Sequence, residues 1–136
     1  MNKFFLCIIL LIVGCTDLGP DERNIKILNK SQNTIYCILS SEDKFESWYK
    51  GFDTSTWDRG DYNISKDSFN YVYDNPRNWE EYIASCPNGK LKIFIISKDE
   101  VVKNGWAKVL TNNIYSKVYK VDINDLNKNG WTITYP

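Results

Sequence analysis

Alternation of apolar and polar positions dominates the chain after residue 23 and predicts strands. Residues 24–29 and 34–40 are two β-rich runs separated by the polar stretch 30–33, the pattern of a hairpin with a four-residue loop. In the second run Ile35, Cys37 and Leu39 share one face, which turns Cys37 towards a core. Residues 62–65 and 69–73 alternate in the same way on either side of Lys66-Asp67. The strongest strand is 91–96, apolar on both faces over its second half and therefore expected at the centre of a sheet. Residues 115–123 and 131–135 complete the strand set.

Helical spacing interrupts this pattern. Residues 75–84 read as a short helix, with Pro76 in its first turn, Glu80 and Glu81 early, and Trp79, Tyr82 and Ile83 on one apolar face. Residues 99–110 read as an amphipathic helix whose apolar face is Val102, Trp106, Val109 and Leu110. Gly105 weakens that helix by about 1 kcal/mol. Residues 124–129 make a single turn stopped by Gly130. The predicted fold is α+β, a mainly antiparallel, sandwich-like arrangement of six to seven strands with two short helices packed on it.

The start of the chain has a different character. Lys3 is followed by an unbroken apolar run from Phe4 to Val13 that contains Cys7. The run is about half the roughly twenty residues a membrane-spanning helix needs, and it fits the apolar region of a signal peptide. It ends in Leu11-Ile12-Val13-Gly14-Cys15, which resembles a lipobox, the site where a lipoprotein signal peptidase cuts before an acylated cysteine. The resemblance implies a signal peptide over residues 1–14, a lipid on Cys15, a polar tether over 15–23 and one globular domain over 24–136. An ordinary signal peptide with an incidental cysteine, or a buried strand, is the alternative. Each buried CH₂ stabilises membrane association by about 0.8 kcal/mol, so two or three chains on Cys15 would hold the protein without a spanning helix.

Composition narrows the functional classes. The whole chain carries a formal charge of +0, and loss of Lys3 leaves the mature chain at about −1, with the signs interspersed. That is no footprint for nucleic acid, which demands a basic patch. With Cys7 removed and Cys15 lipidated, Cys37 and Cys86 remain, an even pair that reads as a disulfide in an exported domain. Two unpaired thiols or a metal site are the other options, and two cysteines without histidine make a poor zinc set.

The chain has no histidine, which removes histidine-based acid–base and triad chemistry and most transition-metal sites. Paired carboxylates could still hydrolyse a glycoside, with Asp58 and Asp61 or Glu80 and Glu81 as nominees. Acidic pairs are also common on solvated faces, so no catalytic residue and no cofactor is assigned. Asp125-Leu-Asn-Lys-Asn-Gly130 matches the opening of a calcium loop, but its twelfth position is Pro136 instead of a glutamate. No metal is expected.

Aromatic residues are the remaining signal. Trp79, Trp106 and Trp131 lie on apolar faces of regular elements and read as core. Trp48, Tyr49 and Trp57, beside Asp58 and Asp61 in the irregular stretch 42–61, form the one candidate ligand surface, although covering the core edge is the competing role.

The C-terminal half, with Lys90-Leu-Lys-Ile-Phe-Ile-Ile96, Asn104-Gly-Trp106, Tyr119-Lys-Val-Asp-Ile-Asn-Asp-Leu126 and Trp131-Thr-Ile-Thr-Tyr-Pro136, resembles small uncharacterised lipoproteins of Bacteroides-type bacteria. The resemblance implies an envelope location, the outer membrane first, and brings no activity. The expected function is a non-enzymatic, membrane-tethered binding or accessory protein for a glycan or an envelope protein. A carboxylate-based hydrolase and a toxin-protective envelope protein are the alternatives.

Overall fold

The computed structural model describes residues 22–45, 57, 62–72 and 76–136. Its central strand is β5 (Leu91–Ser97), buried along both faces from Leu91 to Ile96 as a two-sided apolar run must be. Four strands precede it: β1 (Lys26–Asn29), β2 (Ile35–Ser40), β3 (Asn63–Ile64) and β4 (Phe69–Tyr71). Two follow, β6 (Lys117–Val121) and β7 (Thr132–Tyr135). A four-stranded antiparallel sheet has the order β3-β2-β5-β6, and a three-stranded sheet the order β4-β1-β7. In the smaller sheet β1 runs antiparallel to β4 but parallel to β7, so Ile27 lies opposite Ile133. The fold is therefore α+β and mostly antiparallel, with its first and last described strands side by side.

Alternation along β2 and β5 sorts the core into two clusters. Ile35, Leu39, Leu91, Ile93 and Ile95 pack against Ile25, Ile27 and Ile133 of the smaller sheet, with Cys37 beside them. Tyr36, Ile38, Phe94 and Ile96 form the second cluster with Phe45, Trp57, Val109 and Leu110. The larger sheet is thus covered on one side by the smaller sheet and on the other by helices.

Helix α1 (Trp79–Ser85) is capped by Asn78, whose Oδ1 accepts from Glu81 N at 3.0 Å, and it buries Trp79 and Ile83. Pro76 lies ahead of this cap instead of in the first turn, and Asn75 is outside the described residues. The helix expected over 99–110 is two helices. Ser97 caps α2 (Lys98–Asn104), and Gly105 then leaves helical space at φ 75°, ψ 149° before α3 (Trp106–Asn112). A residue with a Cβ resists that conformation, so glycine sets the break. The break also changes the apolar face. Val101, Trp106, Val109 and Leu110 pack on the sheet, whereas Val102 is 76% exposed.

The hairpin expected from residues 24–29 and 34–40 is absent. β1 and β2 belong to different sheets, as do β3 and β4, so the chain crosses between layers at residues 30–34 and 65–68. Buried Asn29 ties the two crossings together. Its Oδ1 accepts from Ser31 N (3.0 Å) and Ser31 Oγ (2.7 Å), and its Nδ2 donates to Asn33 O and Ile64 O, both at 2.8 Å. Its backbone N donates to Ser68 O at 2.9 Å. A paired hairpin would leave this amide without its partners in a dry site.

Asn29→Ala leaves two carbonyls and the Ser31 N–H without these bonds. Each unsatisfied buried group costs about 1–3 kcal/mol, partly relieved by water, so urea unfolding should show a loss of about 2–4 kcal/mol with an unchanged slope.

Candidate functional site

The domain begins with a clamp at Arg23. Its guanidinium meets Glu80 in a two-pronged ion pair, Nη1 to Oε1 at 2.7 Å and Nη2 to Oε2 at 2.6 Å. The same group stacks over Trp131, 4.7 Å from the ring centroid. Trp79 Nε1 donates to Arg23 O at 2.7 Å, and the Trp79 and Trp131 rings meet at 5.7 Å. A planar guanidinium suits both a carboxylate fork and an aromatic face, which a lysine would not. The clamp fixes Arg23 against α1 and Trp131, ahead of β1.

Next to the clamp lies the outer face of the smaller sheet. Lys26 and Leu28 of β1 stand opposite Tyr71 and Phe69 of β4, and on the other side opposite Thr132 and Thr134 of β7. Phe69 and Tyr71 are each 50% exposed. Their rings meet edge to face at 5.7 Å, and Lys26 Nζ lies 3.9 Å from the Phe69 centroid. The sequence pattern marks β4 as a strand but does not reveal this patch. Its only local signal is Phe69 and Tyr71 sharing one side of an alternating run.

Of the proposed ligand surface, Trp48, Tyr49, Asp58 and Asp61 lie outside the described residues. Trp57 is 4% exposed and is a core residue, which corrects its place on an exposed cluster. It stacks on Tyr62 at 6.4 Å and meets Trp106 edge to face at 4.6 Å, and Trp106 in turn meets Tyr36 at 4.7 Å. The Trp106 Nε1 is buried with no hydrogen-bond partner among the described residues. This row of rings lies on the helical side of the larger sheet, away from the smaller one.

The acidic groups have structural work. Glu80 holds Arg23, and Glu81 sits in the first turn of α1 beyond its cap. The 125–130 run is no cation loop: α4 (Ile123–Lys128) contains Asp125 and Asn127, and Asn127 Oδ1 accepts from Trp131 Nε1. Asp122 and Asp125 form a reciprocal cap, each accepting from the other's backbone N–H. Lys90 Nζ bridges both carboxylates at 2.5 and 3.0 Å. This holds Asp122 below the usual carboxylate range, chiefly through Lys90, and Asp125 below it through the Asp122 N–H and then Lys90. The same pair raises Lys90. Two residues along from Lys90, Lys92 is 3% exposed and donates to Ser41 O at 2.9 Å, while its cross-strand neighbour Lys120 meets Asp43 at 2.9 Å.

The disulfide expected between Cys37 and Cys86 is not formed. Both are thiols. They pack in the same inter-sheet cluster, but Cys86 sits where α1 ends and its Sγ is aimed at Tyr82 O at 3.5 Å. Burial pushes the Cys37 thiol up to about 12, so it carries almost no thiolate at neutral pH.

Native protein should therefore resist iodoacetamide at both Cys37 and Cys86, and unfolding without reductant should make both react. Uptake only after reduction would show a bond instead. A second measurement concerns pH. The lowered Asp122 and Asp125 stabilise the fold above the unfolded carboxylate value near 3.8, and that contribution disappears as pH falls through their folded values. The raised Lys90 contributes below 10.5 and its share disappears as pH climbs through its higher folded value. Lys90→Met should flatten both limbs of a melting-temperature profile.

Comparison with family models, with curated proteins and with solved structures found no match for the chain. The functional reading rests on the chemistry of its own residues.

Proposed function

We propose that the chain is a lipid-anchored, non-enzymatic binding protein of the cell envelope, cut before Cys15 and held there by its acyl chains, in the outer membrane. The observation that carries this reading is the sequence Leu11-Ile12-Val13-Gly14-Cys15, followed by a short polar stretch that runs up to the Arg23 clamp. The apolar run from Phe4 to Val13 is about half the length that a membrane-spanning helix needs, so a lipid is the anchor that this sequence calls for. The likeness of the C-terminal half to Bacteroides-type lipoproteins supports the same location.

Binding without catalysis is the role the side chains favour. The chain has no histidine. The carboxylates of Glu80, Asp122, Asp125 and Asp43 are each tied to a lysine or arginine instead of facing one another across a cleft. The partner, a glycan or an envelope protein, is assigned to the stretch holding Trp48, Tyr49, Asp58 and Asp61, with Trp57 as its buried support. Flat rings stack on sugars and anchor protein interfaces, and adjacent carboxylates accept from hydroxyl groups.

Cells fed an alkyne-tagged fatty acid should yield a labelled chain whose mass equals residues 15–136 plus acyl groups. Cys15→Ala should abolish both label and cleavage, and a cleaved but unlabelled wild-type chain would sink the anchor. For the binding surface, Trp57→Ala should lower stability by about 3–5 kcal/mol as a core truncation. Trp48→Ala with Tyr49→Ala should leave the melting temperature unchanged and reduce retention on isolated envelope glycans about tenfold or more. Unchanged retention with intact folding would remove these rings from the partner surface.

A further inference from the structure

The outer face of the β4-β1-β7 sheet carries the most exposed aromatic rings among the described residues, and it adjoins the point where the tether joins the domain. We propose that this face lies on the headgroup layer of the membrane that holds Cys15, with Phe69 and Tyr71 inserted at the interface. The proposal rests on the lipid anchor and names a role for a surface that the binding reading leaves unused.

Three observations converge on a lipid occupant. The first is reach. Cys15 is eight residues before Arg23, and at no more than about 3.3–3.6 Å per residue the tether spans at most about 29 Å. Its end is fixed, because Arg23 is pinned to Glu80 and Trp131, and Trp131 O accepts from Lys26 N at 2.8 Å. Lys26 is opposite Tyr71, so the tether ends at the edge of this face.

The second observation is chemistry. Phe69 and Leu28 give apolar area, Tyr71 gives a ring with a polar tip, and Lys26 lies over Phe69 with its ammonium 3.9 Å from the ring centre. Aromatic rings with one wet end, beside a lysine that can lay its stem on apolar surface and lift its charge to phosphate, match the water–lipid boundary.

The third is size. Phe69, Tyr71, Leu28 and Lys26 fall far short of the roughly 20–30 residues per side in a stable protein interface. A tethered domain needs much less, since the anchor makes docking an intramolecular event at roughly millimolar effective concentration. A patch too small to recruit a soluble protein is enough to orient a protein already held at the surface. The larger sheet's helical side, with the Trp57–Trp106 row, then faces away from the bilayer.

The test uses the full lipidated chain in vesicles of phosphatidylethanolamine and phosphatidylglycerol. An environment-sensitive dye is placed at Thr134→Cys, exposed on the docking face, or at Val102→Cys, exposed on α2 on the opposite side. Cys86, which is buried, and Cys37, half-buried against the inter-sheet cluster, stay unlabelled. Headgroup-labelled nitroxide lipids should quench the dye at residue 134 about twofold or more and leave residue 102 unchanged. Phe69→Ser with Tyr71→Ser should abolish that quenching while the protein still floats with the vesicles. A vesicle-bound chain with both dyes in water overturns the docking and leaves the anchor standing. Shielding at residue 134 without nitroxide quenching, growing with protein density, would assign the face to a second protein copy and also overturn it. A wild-type chain that fails to float overturns the anchor, and the docking with it.

Discussion

The structure depends on burying one strand on both sides. Leu91 to Ile96 of β5 present apolar side chains in both directions, and a strand of that kind is stable only with a layer above it and a layer below. The smaller sheet supplies one cover and α2 with α3 the other. Each fully buried Ile, Leu or Phe is worth about 1.5–3 kcal/mol relative to exposure, so neither cover could be dropped without losing the fold. Lys92 is the exception inside the run, and it is tolerated because its ammonium reaches Ser41 O at the end of the strand.

From that requirement the rest of the topology follows. β1 leaves β2 and joins the opposite sheet, where Ile27 becomes part of the cover over β5. Asn29 makes the departure possible by meeting the needs of four backbone and side-chain groups at the crossing. The return of β7 beside β1, parallel to it, closes the smaller sheet and brings Trp131 under Arg23.

What was legible in the sequence was local. The two-sided β5, the Cys37 face of β2, and the Trp79–Ile83 stripe of α1 are all written in spacing alone. The crossings were not, because residues 30–33 and 66–67 have the composition of hairpin turns, and only the distant Ile64 and Ser68 carbonyls decide that they are corners. The break at Gly105 was visible as a weak point, yet its effect was not. A helix interrupted for one residue restarts at a new angle, which is why Val101 packs and Val102 does not. The candidate surface was harder still. Trp57 stands among polar neighbours in sequence and looks exposed, while its burial depends on Trp106 and Tyr36 reaching it from other elements. Phe69 and Tyr71 look like ordinary strand residues, and their half exposure among the described residues follows from the register that turns them, with Lys26 and Leu28, to the side of the sheet away from the inter-sheet core.

That orientation separates the two aromatic regions of the molecule. Among the described residues, the Trp57–Trp106–Tyr36 row is enclosed between the larger sheet and its helices, where rings contribute packing and edge-to-face contacts. Among the described residues Phe69 and Tyr71 meet each other edge to face with Lys26 over Phe69, and they sit on the short edge strand of the smaller sheet. A soluble domain free to tumble would gain nothing from two half-exposed rings on a three-residue edge strand. If the proposed lipid anchor holds the chain ahead of Arg23, the domain meets one surface far more often than any other, and there an exposed phenylalanine becomes a contact instead of a liability.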